Sequence, residues 1–256
     1  MTYSIALAGK GGTGKTTVCG LFLDYLVKTG KGPILAVDAD ANSNLNEVLG
    51  VEKQVSLGDI REEIAQAELA ENSPIPPGMS KQEYADFRFA SALVEEDNYD
   101  LLVMGRSQGK GCYCSVNDVL REQLNKYYQN YKYLVVDNEA GLEHISRGIL
   151  PPVDLILLIS DCSRRGIQAA GRIAEMINEL DLQVKKVFLI VNRAPGGELD
   201  GGIQEEIAAR KLTLAGVLPQ DDLVYQYDLA GKPLIKLPED SPVKRALGDI
   251  IKKLEF

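Results

Sequence analysis

Gly9-Lys10-Gly11-Gly12-Thr13-Gly14-Lys15-Thr16-Thr17 is the stretch on which the reading of this 256-residue chain turns. It follows the apolar run Ser4–Ala8 and opens a helical pattern over Thr16–Thr29. That strand, loop, helix context is what a phosphate-binding P-loop requires. Its glycines let the backbone wrap an anion with N–H groups pointing inward, and the helix N-terminus adds the positive end of its dipole. The motif assigns Gly11, Gly12, Thr13, Gly14 and Thr17 to the phosphate cradle, Lys15 to the β- and γ-phosphates, and the Thr16 hydroxyl to Mg2+. An ordinary Gly-rich turn is the plain alternative, and the full eight-position pattern in this context argues against it.

Outward from the loop, short apolar runs alternate with helix-length segments. Strands are expected at Ser4–Ala8, Ile34–Asp38, Asp100–Met104, Tyr133–Asp137, Asp154–Ser160, Lys186–Val191 and Thr213–Leu218. They are continuously apolar, as strands buried on both faces of a parallel sheet are. Helices are expected at Thr16–Thr29, Val116–Tyr128 and Gly166–Leu180. The alternation predicts a doubly wound α/β fold with a mostly parallel sheet. Residues 71–78 (ENSPIPPG) break all periodicity, but no second alternating domain follows them. They read as an excursion within one domain spanning residues 1–256.

Two aspartate stations flank the loop. The second strand ends in Val37-Asp38-Ala39-Asp40-Ala41-Asn42, and the fourth in Leu134-Val135-Val136-Asp137. Carboxylates at the carboxyl ends of parallel strands beside a P-loop are placed to meet Mg2+ and an attacking water. Asp137, after four apolar residues, has the layout of a metal-facing Walker B aspartate, and Gly141 follows it. Glu139 has no unique role, and Asp38 could instead cap the following turn.

The other distinctive segment is Gly109-Lys110-Gly111-Cys112-Tyr113-Cys114-Ser115. Two thiols two residues apart on a Gly-rich loop can face one soft or borderline ion such as Ni2+ or Zn2+. Two ligands fill half of a four-coordinate shell, and a twofold dimer would supply four. Two small half-buried residues at a turn are the competing reading, which also suits Cys19 and Cys162. His144, the only histidine, stays outside the site.

A formal net charge of -9 argues against a nucleic-acid partner, whose phosphates are bound through Lys and Arg. No apolar run is long enough to span a membrane, and the start of the chain lacks the features of a signal peptide. With four cysteines and no disulfide framework, a cytoplasmic location is expected. Val243, Leu247, Ile250, Ile251 and Leu254 form an apolar stripe near the C-terminus, among basic residues. Docking on the sheet is expected of it rather than membrane attachment.

GKGGTGKTT (residues 9–17) resembles the deviant Walker A loop of the MinD, ParA and nitrogenase iron protein family, within the SIMIBI class of P-loop NTPases. The resemblance implies that Lys10 reaches a partner's nucleotide across a dimer, that Asp40 orients or activates water with Asp38 in support, and that Gly141 lies in a γ-phosphate-sensitive switch. It also implies adenine contacts from Asn192-Arg193 and from Pro219 to Asp221, an arrangement that suits ATP and ADP. Adding VMGRSQGKGCYCSVNDVLR (103–121) and VVDNEAGLEH (135–144), the whole chain resembles the carbon monoxide dehydrogenase accessory proteins, the CooC type of nickel-insertion ATPase. That likeness implies an ATP-hydrolysing homodimer, formed on ATP or metal binding, with Ni2+ or Zn2+ held at the interface by Cys112 and Cys114 of each chain. Its client would be carbon monoxide dehydrogenase. A maturation ATPase for acetyl-CoA synthase and a MinD/ParA-type positioning ATPase are the alternatives.

Overall fold

The computed structural model describes residues 1–40, 42–69, 74–105, 114–142, 151–254 and 256, with only the backbone of residues 66–69, 114–120 and 140. The strands are β1 (Tyr3–Gly9), β2 (Ile34–Ala39), β3 (Val94–Glu95), β4 (Tyr99–Val103), β5 (Tyr133–Ala140), β6 (Leu155–Asp161), β7 (Lys186–Ala194) and β8 (Leu214–Pro219). Among the described residues they form one eight-stranded sheet in the order β3-β4-β2-β5-β1-β6-β7-β8. Every neighbouring pair is parallel except β3 with β4. The seven apolar runs are seven of these strands. β3 escaped the sequence reading because two residues carry no periodicity.

Continuous apolarity has a direct structural cause. Successive side chains of a strand point to opposite faces, and both faces here are covered. Ala6, Val37, Val136 and Leu158 face one core with Ile60, Phe89 and Ile173. Ile5, Leu7, Ala36, Val135 and Ile159 face the other with Phe22, Leu26 and Leu247. The helices that supply these layers are α1 (Lys15–Lys28), α2 (Leu45–Leu49), α3 (Leu57–Leu69), α4 (Lys81–Ala92), α5 (Cys114–Tyr127), α6 (Arg164–Glu179), α7 (Gly201–Ala209), α8 (Asp222–Leu229) and α9 (Pro242–Lys253). α2, α3 and α4 lie in the segment between β2 and β3, on either side of the 71–78 excursion. Residues 70–73 lie outside the described residues. α4 opens with a capping box, Ser80 accepting from the Glu83 N–H while the Glu83 carboxylate accepts from Ser80.

The C-terminal helix docks. Val243, Leu247, Ile250, Ile251 and Leu254 are all buried, and α9 packs on β8 and α1. Lys244 is drawn in with them. Its Nζ donates to the Ile235 carbonyl at 2.7 Å and pairs with Asp24 at 2.9 Å and Glu239 at 3.2 Å. The Phe256 ring then stacks on Tyr3 and Phe22, with centroids 5.7 and 5.8 Å apart. No helix among the described residues is long and apolar enough to cross a membrane.

Because Leu247 is 1% exposed, Leu247→Ala should lower the unfolding free energy by about 3 kcal/mol in urea titration. An unchanged midpoint would place the stripe outside the core.

Candidate functional site

The loops after β1, β2 and β8 and the ends of β5 and β7 converge at the carboxyl side of the parallel strands, where α/β sheets bind ligands, and β1 lies between β5 and β6. At their centre is the N-terminus of α1. α4, α6, α7 and α8 each begin with a side chain accepting from the first turn. α1 begins at Gly14 with no side-chain cap and no acidic residue in its first turn. Its orphan N–H groups and dipole therefore face an adjoining cavity of about 360 Å3. Gly11, Lys15, Thr16, Asp40, Asn44 and Glu139 are among the residues that line it.

The loop is braced from within and from behind. The Thr13 hydroxyl donates to the Lys10 carbonyl at 2.9 Å, and the buried Lys15 ammonium reaches the same oxygen at 3.4 Å. The Lys10 side chain is exposed. From β7, the Asn192 amide donates to the Thr13 carbonyl at 2.9 Å and the Arg193 guanidinium to the Gly12 carbonyl at 3.1 Å. Gly14 has φ of 87°, and a Cβ there would stand 2.5 Å from Asn192 Nδ2, so this turn requires glycine on both counts.

Beneath the loop lie two buried acids. Asp38 and Asp137 are register partners on adjacent strands and both are 0% exposed. Asp38 is fully used: one oxygen accepts from the Asp40 N–H at 3.1 Å, the other from the Leu45 N–H at 3.0 Å. It thus fixes the turn that presents Asp40 and caps α2, the capping that the sequence offered as its alternative. Asp40 in turn accepts from the Asn42 N–H at 2.8 Å. Burial pushes the Asp38 pKa up to about 6, against the two backbone hydrogen bonds. Asp137 differs, because both its oxygens are buried without a hydrogen-bond partner. Burial pushes its pKa up to about 7; the nearby Thr16 hydroxyl opposes the rise and the Asp38 carboxylate adds to it. A buried carboxylate with open oxygens beside a threonine hydroxyl fits Mg2+, directly or through water.

A second cavity of about 420 Å3 adjoins the first through Thr17 and Arg193. Asn192, Pro219 and Asp221, from the segments that the resemblance assigns to the base, line it, and so do Tyr225 and Asp228. The sequence reading missed these last two, although they lie one and two turns into the helix that Asp221 caps. The Asp221 carboxylate itself accepts from the Leu223 N–H at 3.0 Å, the Ser241 hydroxyl at 2.6 Å and the Val243 N–H at 3.3 Å. It anchors α8 to α9 while bordering the cavity.

Cys112 lies outside the described residues, and Cys114 is described only as the first backbone position of α5. Among the described residues no three His, Cys, Asp or Glu side chains are grouped to hold a metal ion. Cys19 is fully buried, and burial followed by the Asp137 and Asp38 charges raises its thiol pKa, so it serves as a small apolar residue.

The raised acids give a stability profile with a definite sign. Between about pH 4 and pH 7 the folded, nucleotide-free chain holds protons that the unfolded chain has released. Their contribution is complete below that window and is lost as pH rises through about 7. Unfolding free energy should fall on the order of 3 kcal/mol between pH 5 and 8. Asp137→Asn should flatten most of that slope in urea titrations; a profile equally steep in the variant would refute the assignment.

The CobQ/CobB/MinD/ParA nucleotide binding domain model matches residues 4–234. An uncharacterized ATP-binding protein of Methanocaldococcus jannaschii is 42% identical over 250 residues, covering 98% of this chain and 97% of that one. The carbon monoxide dehydrogenase accessory protein CooC of Rhodospirillum rubrum is 29% identical over 234 residues, covering 89% and 87%. The septum site-determining protein MinD of Pyrococcus horikoshii, complexed with Mg-ADP, shares the fold at a TM-score of 0.70 and 20% identity, covering 100% of this chain and 96% of that one. The loop geometry, the sheet order and the extent of these matches together place the chain in the CobQ/CobB/MinD/ParA nucleotide-binding domain family.

Proposed function

We propose that this chain is an ATP-hydrolysing, nucleotide-dependent dimeric maturation factor that binds a divalent metal through Cys112 and Cys114 and assists nickel insertion into carbon monoxide dehydrogenase. The observation that carries the reading is positional. In sequence the Cys-X-Cys motif falls between the carboxyl end of β4 and the first turn of α5, with Cys114 the first residue of that helix. β4 runs parallel to β2, so its carboxyl end lies at the same end of the sheet as the phosphate loop, Asp40 and Asp137. The likeness to the Rhodospirillum CooC protein supports the same reading.

In this account the α1 N-terminus and the loop N–H groups bind the phosphates, and Lys15 exchanges its Lys10 carbonyl for β- and γ-phosphate oxygens. Thr16 and Asp137 would hold Mg2+, which would neutralise charge on the β- and γ-phosphates. Asp40, presented by Asp38 at the cavity wall, orients the attacking water. Lys10 projects outward from the loop tip, where it can reach a second copy's nucleotide and make closure depend on the γ-phosphate. Closure brings four thiolates to the twofold axis to hold nickel as cargo. ADP formation relaxes the switch loops and loosens that site. A positioning ATPase of the MinD type is less well supported, because the apolar stripe of α9 is already buried in the core.

Asp40→Ala should retain ATP binding, lower kcat at least about tenfold and accumulate the ATP-bound dimer on size exclusion. Turnover at the wild-type rate would remove Asp40 from the mechanism. Anaerobic titration with Ni2+ should give half an equivalent per chain, lost in Cys112→Ser and in Cys114→Ser with ATP affinity retained. One ion per chain, kept in both variants, would place the ligands elsewhere.

A further inference from the structure

Arg193 stands where two cavities meet, and its backbone is built to put it there. Between β7 and β8 the register runs from Val191 opposite Val217 to Ala194 opposite Pro219, three steps against two. β7 therefore carries one extra residue, a bulge of the kind that re-aims a side chain. At the bulge Arg193 has φ of 57°, a left-handed conformation that a long side chain rarely adopts. The conformation is clamped on both sides. The Arg193 N–H donates to Asn192 Oδ1 at 2.9 Å, and its carbonyl accepts from the Cys162 thiol at 3.6 Å.

In a regular strand consecutive side chains leave from opposite faces. Here Asn192 and Arg193 both reach the phosphate loop, at Thr13 and Gly12. The two residues divide the work. The Asn192 amide is committed at both ends, its Nδ2 to Thr13 and its Oδ1 to the Arg193 N–H, so it acts as scaffold. The Arg193 guanidinium has five N–H donors, of which one on Nη1 meets the Gly12 carbonyl at 3.1 Å. Its side chain borders both the phosphate cavity and the cavity that adjoins it. A carbonyl is a weak partner for a guanidinium compared with a phosphate, which it can grip through two parallel hydrogen bonds.

We propose that Arg193 is a phosphate-contacting residue rather than an adenine-contacting one. Its guanidinium moves from the Gly12 carbonyl to the phosphate oxygens nearest the ribose of a nucleoside di- or triphosphate. The inference rests on the nucleotide-binding reading above and adds a cation supplied by the same chain, at the seam between base and phosphates. Besides charge, it links loop conformation to occupancy, because gripping the phosphate frees the Gly12 carbonyl.

Calorimetric titration of the full chain with ATP and with inosine triphosphate, in low and moderate salt, tests it. Inosine triphosphate differs at the base edge and is identical at the phosphates. Arg193→Gln keeps a donor for the Gly12 carbonyl and loses the charge; Arg193→Lys keeps the charge and loses the fork. We expect Arg193→Gln to weaken both nucleotides by the same factor, roughly tenfold to a hundredfold, and to show a shallower salt dependence. Arg193→Lys should recover part of the loss, with the nucleotide-free melting temperature unchanged in both. A loss confined to ATP would make Arg193 a base contact and overturn the proposal. Equal losses in the glutamine and lysine variants with a lowered melting temperature would make it a loop brace, and would also overturn it. Wild-type affinity in Arg193→Gln would sink this inference alone, whereas a wild-type chain that bound neither nucleotide would sink the reading beneath it.

Discussion

Asp38 and Asp137 sit opposite one another on adjacent parallel strands, both fully buried and both on the side of the sheet that α1 covers. Two carboxylates in such a place do not both ionise without a counter-charge. The structure divides the problem between them. Asp38 takes two backbone N–H groups and is satisfied, whereas Asp137 takes none, and the Lys15 charge favours its ionised form. The uncapped start of α1, the lysine folded under its own loop and the threonine at its first turn are all arranged around that unsatisfied acid. The site is thus held in an unfavourable state that a cation and an anion arriving together would relieve, which is what a magnesium nucleotide is.

Much of this was legible in the residues because the phosphate loop is read by backbone geometry, and backbone geometry is what glycine positions encode. The seven long strands were legible for a simpler reason: burial on both faces keeps polar residues out of the middle of a run, leaving them at its ends. What escaped was context-dependent. β5 runs on through Ala140, so Asn138 and Glu139 belong to a strand rather than to a loop after it. α3 and α4 carry too many charged residues for a reading that seeks continuous apolarity, and their buried faces appear only once Ile60, Ile64 and Phe89 are seen in the same core.

Arg193 illustrates the sharper limit. Its neighbour in sequence, Asn192, suggests a base-reading pair, and nothing in the letters reveals the extra residue in β7 or the left-handed backbone. A bulge is a relation between two strands, and a single strand's sequence does not contain it. Asp221 is a related case. Its position after the last strand marks it as a ligand contact, yet its oxygens are engaged by α8 and α9. A residue can line a cavity while its chemistry is committed to the scaffold.

One backbone contact at the exit of β4 has a mechanical meaning. The Met104 N–H donates to the Asp38 carbonyl at 2.8 Å, and the Met104 carbonyl accepts from the Gly58 N–H at 2.8 Å. Met104, just past the end of β4, is therefore suspended from the residue whose side chain sets the Asp40 turn, and moored on its other side to the start of α3. Any displacement of that turn on nucleotide exchange is transmitted through a peptide group, which neither stretches nor changes rotamer. The exit of β4 and the Asp40 turn thus hang from a common beam, and tension at one end is felt at the other.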